Sequence, residues 1–346
     1  MVPMIFPELE EIEKLREPFA KFGRVRLEST VEHKELKFPI YSFCLGPDDP
    51  TMPTLLFSGG VHGIEKIGTQ ILISFMHTVI ELMKWDDTIH DVLSGCRLLF
   101  YPLVNPSGMF HRTRANSNGV DLMRNAPIDA NPKDIMPLLG GHRISSMLPW
   151  YRGKFGAPLE NEAQALCNFV RREVFPASVS ISVDIHSGFG TCDRFWFPYA
   201  KNKLPFPKVA EVLALKNLLD QTFPNHVYFI EPQSLSYCTH GDLWDYLFEE
   251  HYANTSKKVY LPFALELGSW IWVKKNPRQL ASILGAFNPI LPHRRQRTLR
   301  RHITLFDFLL RAVRSNELWS QLATDQRQNL ENDAKALWFD RKKKGS

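Results

Sequence analysis

Cysteine is scarce and unpatterned in this chain of 346 residues: Cys44, Cys96, Cys167, Cys192 and Cys238 are scattered and never spaced as CxxC. An odd number of thiols without close pairs argues against a disulfide framework or a thiolate metal site and suits reduced cysteines. Long hydrophobic runs are missing too. No segment reaches the ~18 apolar residues that span a bilayer, and the opening stretch MVPMIFPELEEIEKLREPFAKF lacks a basic start followed by an unbroken apolar core. A soluble, cytoplasmic protein without a membrane partner is expected. Strong charge of one sign is also absent, since the net charge is only +5. Part of it collects in HRRQRTLRRH, His293 to His302, and in Arg341 to Lys344. Such runs can bind phosphates, but no interleaved aromatics or groove-reading helix accompany them. They read as a solvated connector and tail, and a nucleic-acid partner is not expected.

What is present is enough apolar material for one large core, with 44% of residues hydrophobic. Apolar runs of strand length recur at Thr54 to Ser58, Arg97 to Val104, Val179 to Ile185, His226 to Ile230 and Tyr260 to Leu267. Between them, Lys66 to Trp85, Asn161 to Val174, Val209 to Phe223 and Gly241 to Glu250 carry apolar residues at helical spacing. The alternation predicts an α/β fold, a mixed and mostly parallel twisted sheet with helices on both faces. After Pro292 the pattern changes to the basic connector and two helical stretches, Leu305 to Leu322 and Gln326 to Trp338. The expected division is an N-terminal extension over 1–35, a catalytic domain over 36–292, and a connector with C-terminal helices over 293–346.

Ligands gather at the carboxyl ends of strands in open sheets of this kind, and chemistry-bearing residues fall there repeatedly. In SGGVHGIEKIG, His62 and Glu65 follow the first apolar run; His186 ends another in DIHSG, and Glu266 closes the last in FALELG. Small neighbours around both histidines leave room for a metal and a substrate. Two histidines and one glutamate form a known catalytic zinc set that keeps a position open for water. On spacing alone HxxE is a weak signal, and a turn that merely happens to be polar fits it as well. The remaining histidines carry no comparable context.

The stretch NPSGMFHRTRANSNGVDLMRN, Asn105 to Asn125, adds a second pattern. With HxxE before it, and a histidine strand end and a late glutamate after it, the chain resembles the zinc carboxypeptidase A/B superfamily, from Ser58 to Gly268. The resemblance implies that His62, Glu65 and His186 hold a zinc ion and that Glu266 is the catalytic acid and base. It implies that Arg114 polarises the scissile carbonyl and that Arg124 grips a terminal carboxylate, with Asn105 in the same substrate-binding stretch. Asp121 would fix the tautomer of His62. Tyr246 in GDLWDYLFEE matches the tyrosine that caps the substrate, with Tyr237 and Tyr252 as close rivals.

One position departs from the family pattern. Where an asparagine precedes the carboxylate-binding arginine, this chain has Met123, which cannot donate a hydrogen bond. The expected activity is hydrolysis of an amide near a terminal carboxylate, as in a carboxypeptidase or murein-peptide amidase. An N-acyl amino acid deacylase resembling aspartoacylase and succinylglutamate desuccinylase is the alternative, with a peptide or acyl-amino-acid substrate in either case. A non-catalytic zinc-containing binding protein on the same scaffold is a third reading, and the intact Glu266 argues against it.

Overall fold

The computed structural model describes residues 6–340; the second basic run, Arg341 to Lys344, lies outside the described residues. Eight strands form one mixed sheet: β1 (Arg24–His33), β2 (Leu36–Leu45), β3 (Thr54–Gly59), β4 (Arg97–Tyr101), β5 (Val179–Ser187), β6 (Arg194–Phe197), β7 (Phe229–Pro232) and β8 (Val259–Leu267). Their order is β1-β2-β4-β3-β5-β8-β6-β7. The central four, β4, β3, β5 and β8, run parallel, whereas β2 and β6 pair antiparallel with β4 and β8. Every residue of β3, β4 and β5 is buried; β3 and β4 read accordingly as short apolar runs, whereas β5, VSISVDIHS, alternates and buries its polar side chains as well.

Three features depart from the sequence reading. The expected boundary between residues 35 and 36 falls in the turn of a paired hairpin, because β1 runs antiparallel along β2 from Arg24 to His33. β1 escapes notice in sequence because it is an edge strand whose side chains, RVRLESTVEH, are mostly half-exposed or exposed. The basic connector is itself a helix, Pro292–Arg301, with its proline at the first position, where a missing N–H costs nothing. The helices beyond it pack onto the sheet: Phe306 lies 4.4 Å from Phe57 and 5.2 Å from Phe75 between ring centroids, and Trp338 lies 4.8 Å from Phe197. Among the described residues, no helix is long and apolar enough to cross a membrane.

The C-terminal packing carries a titratable group. His302 is buried, its Nδ1 shares a hydrogen bond of 2.9 Å with the Tyr228 hydroxyl, and its Nε2 has no partner among the described residues. Burial lowers its pKa to about 4. The unfolded chain, with a histidine pKa of ~6.5, therefore binds more protons between these values, and stability falls as pH drops from about 6.5 to about 4. The loss from this residue should reach about 3 kcal/mol. In urea unfolding across that window, His302→Gln, which keeps a hydrogen-bond partner for Tyr228, should lose less stability than the parent; equal losses would show that His302 does not contribute.

Candidate active site

The turn after β3 delivers His62 and Glu65. Gly63 lies flat against a second loop, where a Cβ would sit 2.0 Å from the backbone carbon of Gly108. Asn105 ties the two loops together: its Nδ2 donates to the Val61 carbonyl at 3.2 Å and its Oδ1 accepts the Gly108 N–H at 2.8 Å. Asn105 is fully buried and does not line the cavity described below. Both ends of its amide bond to backbone and hold the two loops together. Glu65 then stands at the start of the helix Lys66–Leu82.

His186 arrives from β5, in register with Glu266 of the adjacent parallel strand β8. The ligand atoms of His62, Glu65 and His186 all lie within 4.8 Å of one another. Both imidazoles are oriented alike. His62 Nε2 meets Asp121 Oδ1 at 3.1 Å and His186 Nε2 meets Asp184 Oδ2 at 2.7 Å. Both Nδ1 atoms face Glu65, His62 at 2.9 Å from Oε1 and His186 at 3.2 Å from Oε2. A carboxylate on the far nitrogen fixes the tautomer that leaves the near nitrogen's lone pair for a metal. The donor set thus fits a divalent cation, with two imidazoles and one carboxylate around one point.

The partners are themselves held. Asp184 accepts from Ser58 Oγ at 2.9 Å and from Trp244 Nε1 at 3.0 Å. It lies two residues before His186, so strand alternation puts both on one face of β5, a signal that the sequence reading passed over. Asp121 accepts from Arg114 Nε at 2.8 Å and from Arg124 Nη1 at 3.0 Å. Burial pushes its carboxyl up, but these two guanidiniums outweigh it and hold it well below the usual range. Glu266 has one backbone donor, the Phe189 N–H at 3.0 Å. Burial and the nearby negative charge of Glu65 raise its pKa to about 8.

A cavity of about 440 Å³ opens above these groups. Its walls include Arg114, Arg124, Met123, Phe189, Trp196 and Tyr237. Arg124 directs Nε and Nη2 to the Leu139 carbonyl and Nη1 to Asp121. A guanidinium has five N–H groups, so donors remain for a ligand. Asp242 also lines the cavity; its Oδ1 accepts the Trp244 and Asp245 N–H groups, while its Oδ2 has no hydrogen-bond partner among the described residues.

The structure places the candidate tyrosines differently. Tyr246 lies outside the cavity: its hydroxyl accepts from Arg171 Nη2 at 3.2 Å, against the helix Asn161–Glu173. Tyr237 is the tyrosine in the cavity wall, with its ring 5.6 Å from Phe189 and 5.7 Å from Trp196. Burial raises its pKa, and it feels the charges of Glu266, Arg124 and Arg114. Distance along the chain from Glu266 favoured Tyr246, but the start of the helix Leu243–Thr255 turns that side chain away. Tyr237→Phe should raise KM or lower kcat about tenfold if its hydroxyl donates one hydrogen bond to substrate, with Tyr246→Phe close to parent. Steady-state kinetics on a short peptide would show the reverse order if the tyrosine is misassigned.

Comparison with known proteins follows the same lines. The family profile described as "Zinc carboxypeptidase" matches residues 13–268. Carboxypeptidase SOL1 of Arabidopsis thaliana is 32% identical over 100 residues, 29% of this chain and 20% of that protein. Carboxypeptidase D of Homo sapiens is 26% identical over 133 residues, 35% of this chain and 10% of that protein. The chain thus spans a fifth or less of the length of these relatives. Among solved structures, thrombin-activatable fibrinolysis inhibitor superposes with a TM-score of 0.65 at 19% identity, covering 88% of this chain and 72% of that one. The bovine protein, solved with tick carboxypeptidase inhibitor, gives the same TM-score and identity over 90% and 98% of the two chains. These likenesses show the fold, and the profile match across most of the chain carries the assignment: the chain belongs to the zinc carboxypeptidase family.

Proposed function

We propose that this chain is a zinc-dependent carboxypeptidase that removes a residue bearing a free carboxylate. The observation that carries the reading is the orientation of His62 and His186, each fixed by a carboxylate on Nε2 and each turning Nδ1 towards Glu65, with Glu266 in register beside His186. A zinc ion held by His62, Glu65 and His186 supplies a Lewis acid that polarises a carbonyl and brings the pKa of water towards neutrality. Glu266, held beside His186 by the register of β5 and β8, takes the proton from the attacking water and returns it to the leaving nitrogen. Arg114 faces the same cavity and donates to negative charge developing on the carbonyl oxygen. Arg124 binds the terminal carboxylate through its remaining N–H groups, and Asp242 Oδ2 offers a partner to a cationic side chain on the leaving residue. A panel of peptides, murein tripeptide and N-acyl amino acids, each as free acid and amide, tests the proposal by mass spectrometry. Loss of one C-terminal residue from the free acids supports it; preferential release of acyl groups transfers the chain to the deacylase reading.

Met123 makes that alternative worth testing directly, because it lines the cavity beside Arg124 and supplies no donor. Met123→Asn should tighten binding of free-acid substrates, since a hydrogen bond to a charged group contributes about 1.5 to 3 kcal/mol. The gain should appear in KM and be small for amidated substrates. Equal responses from acid and amide would mean that the carboxylate is not read here.

A further inference from the structure

Two segments frame the cavity mouth, and both lack acidic residues. From Ile135 to Leu159 there are three Lys/Arg and no Asp or Glu; from Leu267 to Phe306 there are eight and none. Met136, Leu139 and Trp150 of the first segment and Phe287 of the second line the same cavity. The second segment is anchored there by Trp270 Nε1, which donates to the Gly188 carbonyl at 2.9 Å, and its far end is tied down by Arg301, whose Nε lies 3.0 Å from Asp193 Oδ2. Its other cations face outward. Lys274, Lys275, Arg278, Arg295, Arg297 and Arg300 are exposed, and none has an ion-pair partner among the described residues.

The same two segments hold eleven of the eighteen exposed large apolar residues, so the exposure is concentrated in these segments rather than spread along the chain, and Met136 and Leu139 among them reach the cavity wall. Met147 is 92% exposed, Phe155 90%, Ile144 71% and Ile283 66%, with Trp270 and Ile290 about half exposed. Unpaired cations alone would suit any polyanion. Bulky apolar side chains among them gain only where they can leave water, and an anionic lipid surface satisfies both at once.

We propose that this face docks on anionic membranes, with the cavity mouth held at the lipid surface. The expectation of a chain without a membrane partner came from the lack of a spanning segment, which does not bear on peripheral docking. No turnover is involved, so the proposal stands or falls separately from the catalytic reading.

The test is co-sedimentation of the full chain with phosphatidylcholine vesicles containing about 30% phosphatidylglycerol, compared with phosphatidylcholine alone and with soluble polyglutamate. Binding to the anionic vesicles is expected, weakening as salt rises from about 0.1 M to about 1 M. The triple change Arg295→Gln, Arg297→Gln, Arg300→Gln should weaken it about 100-fold, some fivefold per charge, the equivalent of ~1 kcal/mol each. Met147→Ser with Phe155→Ser should weaken vesicle binding without altering any binding to polyglutamate. Thermal unfolding checks that each variant is folded. Failure to sediment with anionic vesicles overturns the proposal. So does vesicle binding that ignores the Met147 and Phe155 changes while polyglutamate competes fully, which would assign the face to acidic polymers.

Discussion

Glu266→Gln should lower turnover by ~10²- to 10⁴-fold while leaving the fold and metal content in place. Glutamine keeps the shape and can still accept the Phe189 N–H that now meets Glu266 Oε1 at 3.0 Å. What it removes is a proton acceptor raised to about 8 by burial and by the charge of Glu65. The loss should fall on kcat, because the proton moves in the transition state and contributes little to ground-state binding. Turnover at the parent rate would make Glu266 a structural carboxylate.

Replacing a candidate metal ligand should have a larger effect. His62→Ala, Glu65→Ala or His186→Ala each removes one of three donors grouped within 4.8 Å, and a zinc site with two protein ligands binds weakly. Elemental analysis of purified protein should find about one zinc per parent chain and little in these variants, with turnover lost in parallel. Asp184→Asn is a subtler probe. It leaves all three donors but weakens the acceptor that holds His186 Nε2, and loss of such a partner costs about 10- to 100-fold in metal affinity. Full zinc retention by all three alanine variants would place the metal elsewhere.

How far the sequence foretold the site depends on where each residue is anchored. His62, Glu65, His186 and Glu266 stand at the ends of buried apolar strands, so the pattern that reveals β3, β5 and β8 also reveals them. Asp121, Arg114 and Arg124 follow from the stretch Asn105 to Asn125, and the structure brings both arginines to the Asp121 carboxylate. Tyr237 lies instead between a 3₁₀ turn at Gln233–Leu235 and the helix Leu243–Thr255. No hydrophobic periodicity marks such a position, and only tertiary packing against Phe189 and Trp196 turns it inward. Asn105, which the family stretch put among the substrate-binding residues, lies buried outside the cavity lining, with its amide tying two loops together. β1, β2 and β6 were missed for different reasons: β1 is an exposed edge, β2 is a buried run interrupted by Pro39, and β6 is only four residues long. The apolar rim over 135–159 was passed over because it lacks a regular period.

The most direct measurement is a zinc titration of metal-depleted protein, followed by release of a C-terminal residue from a free-acid peptide. Activity should be absent before zinc is added, rise linearly, and break at about one equivalent per chain, as expected for one catalytic site made by three ligands. Hydrolysis that proceeds fully without zinc, or a zinc-saturated protein that cleaves no free-acid peptide, would contradict the assignment of His62, Glu65, His186 and Glu266 to a zinc carboxypeptidase centre.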